Sequence, residues 1–194
     1  MVQFLARQIA FSLERAIQQE KLTNLIQKDL DLGIWNYQSY VDRLGVEIAR
    51  CERFDSEFSS ILFKINFAST ELMKNMQDNY PVIKEILENM QKMSRSFDWF
   101  GRLDQFHIAV MLFETSTKGA AVFAQKVINK LKSRLNPEDV NQAKYTINAS
   151  IATYPSLSAD RDTMIKDLKA GINKSMAAGE NMIYIHKSED TNTF

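Results

Sequence analysis

The chain has 194 residues, of which 45% are hydrophobic, and it contains only six glycines and three prolines. This composition is typical of a globular protein with one sizeable core and excludes a disordered or fibrous chain. The 24 basic and 24 acidic residues cancel at pH 7, so no global field attracts the molecule to a nucleic acid polymer or to an anionic membrane. An anionic ligand must therefore be bound by a local cluster of basic residues.

The cysteine content and the hydropathy of the sequence limit the cellular compartments in which we expect the protein. The single cysteine, Cys51, excludes an internal disulfide framework and fits a reducing cytoplasm. It falls in a charged helical pattern and is not predicted to be a nucleophile. No apolar run approaches the roughly 20 residues that span a bilayer, so we expect no direct membrane insertion by this chain. We predict a cytoplasmic location, alone or as the cytoplasmic part of a larger, membrane-tethered protein.

The first 28 residues predict one long amphipathic helix with an apolar seam. Such a seam needs a partner, which favours a homodimer formed by a short coiled coil. An upstream domain, or the core of the same chain, would also cover it. The seam comprises Phe4, Leu5, Ile9, Leu13, Ala16, Ile17, Leu22, Leu25 and Ile26.

The elements that follow alternate between helices and strands. Gly33 is predicted to end a turn and Asn36 to cap a helix that runs to about Arg53. Pro81 is predicted near the start of the second of two consecutive helices, and Gly179 is predicted to close the last helix. Apolar runs predict strands at FSSILFKINF, DWFGRL, FHIAVMLF, YTINASIATY and NMIYIH, and periodic runs predict helices at ELMKNMQDNY, VIKEILENMQKM, 118–135 and DRDTMIKDLKAGINKSMAAG.

This order predicts an α/β (α+β) fold in which helices flank a central mixed five-stranded sheet. The direct connection between DWFGRL and FHIAVMLF predicts a hairpin inside that sheet. We divide the chain into the leading helix 1–28, a domain 29–187 and a frayed tail 188–194.

Three motifs in the domain resemble, in order, those of the GGDEF domain, the diguanylate cyclase domain of bacterial signalling. DLDLGIWNYQSY is similar to the family's D-x-L-T-G-L-x-N-R-x-x-F, and NASIATYP to its S-I-G-I-A-x-Y-P. LKAGINKSMAAGEN is similar to its A-D-x-A-L-Y-x-A-K-x-x-G-x-N. The resemblance implies a nucleotide-cyclase-like palm over residues 29–187. The leading helix also resembles the closing helix of the GAF-type sensors found in front of GGDEF domains.

The family's signature hairpin and metal site are altered in this chain. The sequence reads WFGRL and then Asp104-Gln105-Phe106, so both glycines are missing and Gln105 stands for the glutamate. The resemblance implies metal-binding aspartates where this chain has Lys64 and Asn66. A hard cation such as Mg²⁺ requires anionic oxygen, and an ammonium repels it.

Two further positions of the implied active site also differ. The guanine-recognising aspartate aligns with Tyr80, and the phosphate-neutralising lysine aligns with Met176. Asp104, without its partners, is interpreted as a turn residue. Because phosphoryl transfer depends on positioning and charge neutralisation, we predict no cyclase activity and no resident metal or cofactor. Binding of GTP without turnover stays open as a weaker alternative.

The motif Arg95-x-x-Asp98 is retained at the position where the family binds cyclic di-GMP as an inhibitor. An arginine fork can donate to the O6 and N7 edge of guanine, and a carboxylate can accept from N1–H and N2–H. We therefore predict that Arg95 and Asp98 bind cyclic di-GMP. An ordinary surface ion pair between them is the alternative.

Additional basic residues are candidates for the phosphates of the ligand. The resemblance implies a contact from the helix after the hairpin, on the same subunit or a neighbour. Lys126, Lys130 and Arg134 form a stripe at i, i+4 spacing there, and we predict ligand contacts for Lys126 and Lys130. Arg102 is a further candidate. The alternative is that all of these residues are ordinary solvated charges.

The sequence thus predicts a catalytically inactive GGDEF domain that acts as a cyclic di-GMP receptor. It would relay binding to an unknown effector protein or to a dimer interface. The alternative is a ligand-free module for dimerisation or for holding a partner protein. Control of biofilm formation or exopolysaccharide synthesis is what the resemblance implies for the process.

Overall fold

A computed structural model describes residues 7–15, 27–68, 76–134 and 145–186. Five strands form one sheet in the order β2-β3-β1-β4-β5. Strands β4 and β5 are parallel and the other neighbours are antiparallel, so the predicted mixed five-stranded sheet with flanking helices is confirmed. The helices are α1 (Tyr37–Phe54), α2 (Met76–Met93), α3 (Thr117–Lys132) and α4 (Arg161–Ala178), and the strands are β1 (Phe58–Phe67), β2 (Trp99–Arg102), β3 (His107–Phe113), β4 (Tyr145–Tyr154) and β5 (Ile183–Ile185).

The sheet separates two apolar layers because successive side chains on a strand point to opposite faces. On β1, Ile61 and Phe63 pack with α2 and α3 on one face. Phe58 and Leu62 pack with α1 and α4 on the other face. Each helix therefore belongs to one face of the sheet, and this assignment decides which side chains can share a site.

Local signals in the sequence set most of the helix ends. Asn36 accepts a hydrogen bond from the Ser39 N–H over 2.9 Å and caps α1, as predicted. Gly33 adopts a φ of 68°, and Gly179 adopts a φ of 132° directly after α4. These backbone conformations favour glycine, so the turn and the helix end lie where the sequence predicted them.

Helix α2 differs from the prediction, which placed two helices around Pro81. The described helix runs from Met76 to Met93 and contains Pro81. The buried side chains of Ile83 and Ile86 pack on the sheet, and this burial offsets the backbone hydrogen bond that proline lacks. The start of the first predicted helix lies outside the described residues, as do the predicted tail 188–194, the end of the helix predicted at 118–135, and most of the leading helix apart from 7–15.

Gly101 allows β2 to approach α1. A Cβ atom added there would lie 2.4 Å from Cδ2 of Tyr40, whose ring is fully buried and whose hydroxyl is hydrogen-bonded to Ser60. We expect Gly101→Ala to lower the free energy of unfolding by about 1–3 kcal/mol, because the packed ring must move. Urea denaturation measures this change. As a control, Gly45→Ala, with its nearest neighbour atom at 3.6 Å, should leave stability unchanged or raised, and an equal loss in both variants would contradict the packing argument.

Candidate ligand-binding site

A tight turn after α2 presents Arg95 and Asp98. The Asp98 N–H donates to the Arg95 carbonyl over 3.1 Å, and the Arg95 N–H donates to Asp98 Oδ2 over 2.8 Å. The exposed Arg95 side chain donates to the Phe113 carbonyl over 3.4 Å and lies 5.7 Å from the centre of the Phe97 ring. A backbone hydrogen bond thus holds the Asp98 carboxylate in the turn, and the Arg95 guanidinium remains at the surface.

The Asp98 carboxylate is only partly satisfied. Its Oδ1 atom is buried and has no hydrogen-bond partner among the described residues. Burial raises the pKa of Asp98, and the backbone hydrogen bond from Arg95, the charge of Arg95 and a backbone hydrogen bond from Phe113 offset only part of that rise. An acceptor that costs free energy in the folded chain is a candidate for binding a donor from a ligand.

A cleft of about 350 Å³ opens beside this turn, between α1 and the hairpin edge of the sheet. The Arg43 guanidinium covers its aromatic wall, 4.4 Å from the ring centre of Trp99 and 5.9 Å from that of Phe113. Such a stack fixes an arginine over an apolar surface and leaves its charge available. The cleft is lined by Arg43, Glu47, Arg50, Phe97, Trp99, Phe113 and Glu114.

The polar wall of the cleft contains further buried atoms without partners. Glu47 has a side chain only 1% exposed, and its Oε1 accepts from Arg50 Nε over 2.7 Å. Its Oε2 atom and Arg43 Nε are buried without a hydrogen-bond partner among the described residues. An unmatched buried polar group typically costs about 1–3 kcal/mol. The cleft therefore combines a flat aromatic surface, two arginines and unmatched hydrogen-bonding capacity.

The sequence analysis did not identify three residues of α1 that line the cleft, namely Arg43, Glu47 and Arg50. Their helical spacing was the one feature of the sequence that indicated a shared face. A polar stripe of this kind usually marks the solvated face of a helix. Only the packing of α1 against Trp99 and Phe113 turns the stripe into one wall of a cleft.

The structure does not bring Arg102 to the Arg95–Asp98 turn. Arg102 lies at the other end of β2, and its side chain is 10% exposed. Its Nη1 atom lies 3.0 Å from Asp29 Oδ2 and 3.3 Å from Asp31 Oδ2. In this structure the Arg102 guanidinium is paired with two carboxylates of the segment before α1, and it holds that segment against β2.

Lys126 and Lys130 are exposed on α3, which packs against the opposite face of the sheet from α1. The cleft beside Arg95 is on the α1 face. Arg134, which continues the stripe, forms an ion pair with Glu85 over 2.8 Å. Contacts of Lys126 and Lys130 with ligand stay a prediction, and on this face the two lysines lie away from the cleft of the same chain.

The end of β1 carries Lys64 and Asn66, where the family resemblance implied metal ligands. Lys64 is the register partner of His107 on β3, and Asn66 donates to Asn148 Oδ1 over 3.1 Å. No group of three or more His, Cys, Asp or Glu side chains able to hold a metal ion occurs among the described residues. A primary ammonium and an amide do not fit a divalent cation at this position, so the end of β1 does not supply the carboxylate ligands that metal-assisted phosphoryl transfer requires.

Asp104 closes the hairpin turn 103–106. Its Oδ1 accepts from the N–H groups of Phe106 and His107 over 2.9 and 3.1 Å, and from His107 Nδ1 over 2.7 Å. Burial alone would raise the pKa of Asp104, but the hydrogen bonds from His107 and Phe106 bring it below its usual value. Gln105 lies in the same turn. Asp104 therefore has a turn-stabilising role in this structure.

The remaining altered positions lie apart from the cleft. The Tyr80 hydroxyl donates to the Asp31 carbonyl, which ties α2 to the segment before α1. Met176 is 40% exposed near the end of α4. Neither side chain offers a carboxylate or an ammonium to a nucleotide.

None of the helices in the described parts of the chain combines the length and the hydropathy that crossing a bilayer requires.

The sheet order, with a hairpin at one edge and paired helices on each face, defines the class as a nucleotide-cyclase-like palm. Solved GGDEF domains match the chain over most of its length. The coiled coil and GGDEF domain of DgcB from Caulobacter crescentus, solved in complex with c-di-GMP, matches with a TM-score of 0.72 and 14% identity over 93% of this chain and 96% of that chain.

Two structures from Pseudomonas aeruginosa extend this result. The FimX GGDEF domain matches with a TM-score of 0.72 and 11% identity over 81% of this chain and 98% of that chain. The diguanylate cyclase SiaD, solved with its activator SiaC, matches with a TM-score of 0.71 and 17% identity over 92% of this chain and 71% of that chain. No protein-family model and no curated protein sequence matches. The chain has the fold of GGDEF domains, as the three motifs implied.

Proposed function

We propose that this chain is a cyclic di-GMP receptor with a GGDEF fold and without diguanylate cyclase activity. The single observation that carries the proposal is the cleft beside the Arg95–Asp98 turn. The cleft is lined by the arginines of α1, two glutamates and an aromatic wall. Phe97, which lies between Arg95 and Asp98 in the turn, belongs to that wall, so the exposed Arg95 guanidinium flanks the cleft. These groups suit a purine that carries phosphate.

The recognition chemistry divides between the turn and α1. Arg95 donates to the O6 and N7 edge of guanine, and the Asp98 carboxylate, once its side chain turns toward the cleft, accepts from N1–H or N2–H, as in base readout of nucleic acids. Arg43 faces the same cleft and supplies a charge-assisted hydrogen bond to a phosphate. Arg50 also faces the cleft, where its Nη1 atom lies 3.7 Å from Glu114 Oε1, so a phosphate would compete with Glu114 for this guanidinium. Arg50 keeps its position through the hydrogen bond to Glu47 over 2.7 Å.

Loss of catalysis follows from the residues at the other site. Lys64 and Asn66 replace the carboxylates that a divalent metal requires. The hairpin turn 103–106 is closed by the carboxylate of Asp104 on its own backbone. Because phosphoryl transfer needs metal, loop and positive charge together, no turnover of GTP is expected. The solved DgcB domain in complex with c-di-GMP supports the ligand class.

Signal relay would use the leading helix and a partner. Within the described residues 7–15, Ile9 is 67% exposed and Leu13 is 61% exposed, which fits the predicted apolar seam of a homodimer. SiaD was solved with an activator protein, and this supports a protein effector for the chain. We place the receptor in the cytoplasm, where the buried free thiol of Cys51 stays reduced.

The exposed apolar side chains of the leading helix also favour a second candidate function, a module for dimerisation or partner binding without a nucleotide. In that case Arg95 and Asp98 would serve only the turn. Their hydrogen bonds to backbone atoms are compatible with such a role. Ligand titration separates the two functions.

Isothermal titration calorimetry with cyclic di-GMP, and in parallel with GTP plus Mg²⁺, tests the proposal. We expect micromolar binding of the cyclic dinucleotide, which corresponds to about −8 kcal/mol, and no saturable heat with GTP. Incubation with GTP and Mg²⁺ should yield no cyclic dinucleotide by chromatography. Product formation would overturn the inactive assignment, and no heat with either ligand would leave the binding-module function.

A further inference from the structure

Two aromatic side chains join the segment before α1 to the wall of the cleft. The rings of Trp35 and Trp99 lie 4.5 Å apart between centroids and only 7° from parallel. Lys28 Nζ lies 5.4 Å from the Trp35 ring centre. The Arg43 guanidinium lies 4.4 Å from the Trp99 ring centre. The result is a continuous stack from the segment to the cleft.

Backbone hydrogen bonds dock the same segment on the edge strand β2. The Trp35 N–H donates to the Phe100 carbonyl over 2.9 Å, and the Arg102 N–H donates to the Trp35 carbonyl over 2.8 Å. Trp35 therefore forms a parallel bridge with Gly101. The outer edge of β2 is paired at this point, which fixes the position of the Trp35 ring relative to Trp99.

Charged side chains hold the other part of the segment. Arg102 is paired with Asp29 over 3.0 Å and with Asp31 over 3.3 Å. The Asp29 carboxylate also accepts from the Leu32 N–H over 2.8 Å, so the ion pair and the turn reinforce each other. The Tyr80 hydroxyl reaches the Asp31 carbonyl from α2. Residues 27–36 thus dock on both β2 and α2. The prediction that the leading helix continues to residue 28 is wrong, because Lys28 forms an antiparallel bridge with Trp35.

We propose that Trp35 is a positioning residue of the ligand site, acting through Trp99 on Arg43. The inference rests on the proposed function and adds a regulatory coupling to it. Trp35 limits the movement of the Trp99 ring, and Trp99 in turn holds the guanidinium of Arg43, whose Nε lacks a hydrogen-bond partner among the described residues. Undocking of residues 27–36 removes this support and weakens ligand binding.

The coupling is reciprocal. If docking of the segment strengthens ligand binding, ligand binding must stabilise the docked segment by the same factor. The segment directly precedes α1 and follows the residues that are predicted to form the leading helix. A ligand in the cleft can therefore change the connection between the domain and the leading helix without contacting that helix.

Calorimetric titration with cyclic di-GMP tests the positioning role. Relative to the unmodified chain, Trp35→Leu should raise Kd about three- to tenfold, as loss of one aromatic pair implies. Trp35→Phe keeps a ring and should restore most of the affinity. Leu30→Ala, a truncation at an 81% exposed position of the same segment, should leave Kd unchanged. If Trp35→Leu does not fold, Asp29→Asn, which removes an ion-pair partner of Arg102, should raise Kd in the same direction.

Hydrogen–deuterium exchange provides a second test, because a purely structural role of Trp35 would not produce ligand-dependent protection of amides. Cyclic di-GMP should slow exchange of the Trp35 and Arg102 amides in the unmodified chain, and this protection should be lost in Trp35→Leu. A lower midpoint of urea unfolding with unchanged Kd and no ligand-dependent protection would overturn the inference while leaving the receptor function in place. If the unmodified chain does not bind cyclic di-GMP, the proposed function and the inference fail together.

Discussion

Replacing Arg95 by alanine is expected to weaken cyclic di-GMP binding strongly without unfolding the protein. The side chain is exposed and contacts the rest of the chain through the Phe113 carbonyl and the Phe97 ring, so stability should change little. Loss of a bidentate contact between arginine and guanine typically costs about 1–3 kcal/mol, or roughly five- to 150-fold in Kd. Calorimetric titration of both proteins under identical salt conditions measures the loss.

Matched variants separate the arginine fork from charge alone. Arg95→Lys keeps the charge but cannot donate two parallel hydrogen bonds, and it should recover only a small part of the affinity. Arg134→Ala removes the same charge on the other face of the sheet and should leave binding unchanged. Lys126→Ala tests the predicted contact between Lys126 on α3 and the ligand. Affinity retained in Arg95→Ala would contradict the receptor site.

Replacing Asp98 by asparagine is expected to weaken binding and, at the same time, to leave the folded chain at least as stable at neutral pH. Burial raises the pKa of Asp98 in the folded state, so the folded state binds a proton more tightly than the unfolded state. The free energy of unfolding therefore decreases as pH rises from the unfolded pKa to the folded pKa. Above that interval the full cost of the buried carboxylate is present, and asparagine removes it.

Urea unfolding between acidic and neutral pH, together with titration of the ligand, measures both effects of Asp98→Asn. The loss of the accepting carboxylate should raise Kd about tenfold or more. The stability difference between the variant and the unmodified chain should shrink as pH falls and Asp98 becomes protonated.

Asp104→Asn is a control that should change the stability at neutral pH in the opposite direction to Asp98→Asn. The pKa of Asp104 is lowered on balance, because hydrogen bonds from His107 and Phe106 outweigh the effect of burial. The stabilisation that Asp104 provides is therefore present above its unfolded pKa and is lost as pH falls through the folded pKa. Asp104→Asn should destabilise the chain at neutral pH, with binding unchanged. A destabilised Asp98→Asn with normal affinity would instead assign Asp98 to the turn alone.

Much of the fold was predictable because its signals are local. The apolar run of β1 and the residues Gly33, Asn36 and Gly179 act on backbone conformation within a few positions of themselves. Pro81 was interpreted as a helix start because proline lacks an N–H. The burial of Ile83 and Ile86 against the sheet decided otherwise, and burial is a property of contacts that are distant in sequence.

The candidate site also has one part that the sequence predicted and one part that depends on tertiary packing. The sequence by itself determined that Arg95 and Asp98 share one turn, because the motif and the end of α2 are adjacent in the chain. Lys126 and Lys130 have the same kind of helical spacing as Arg43, Glu47 and Arg50. Tertiary structure alone decided that α1 packs beside Trp99 and Phe113 whereas α3 packs on the opposite face. Spacing along a helix defines a stripe, but only the packing of that helix on the sheet decides whether the stripe faces a cleft or solvent.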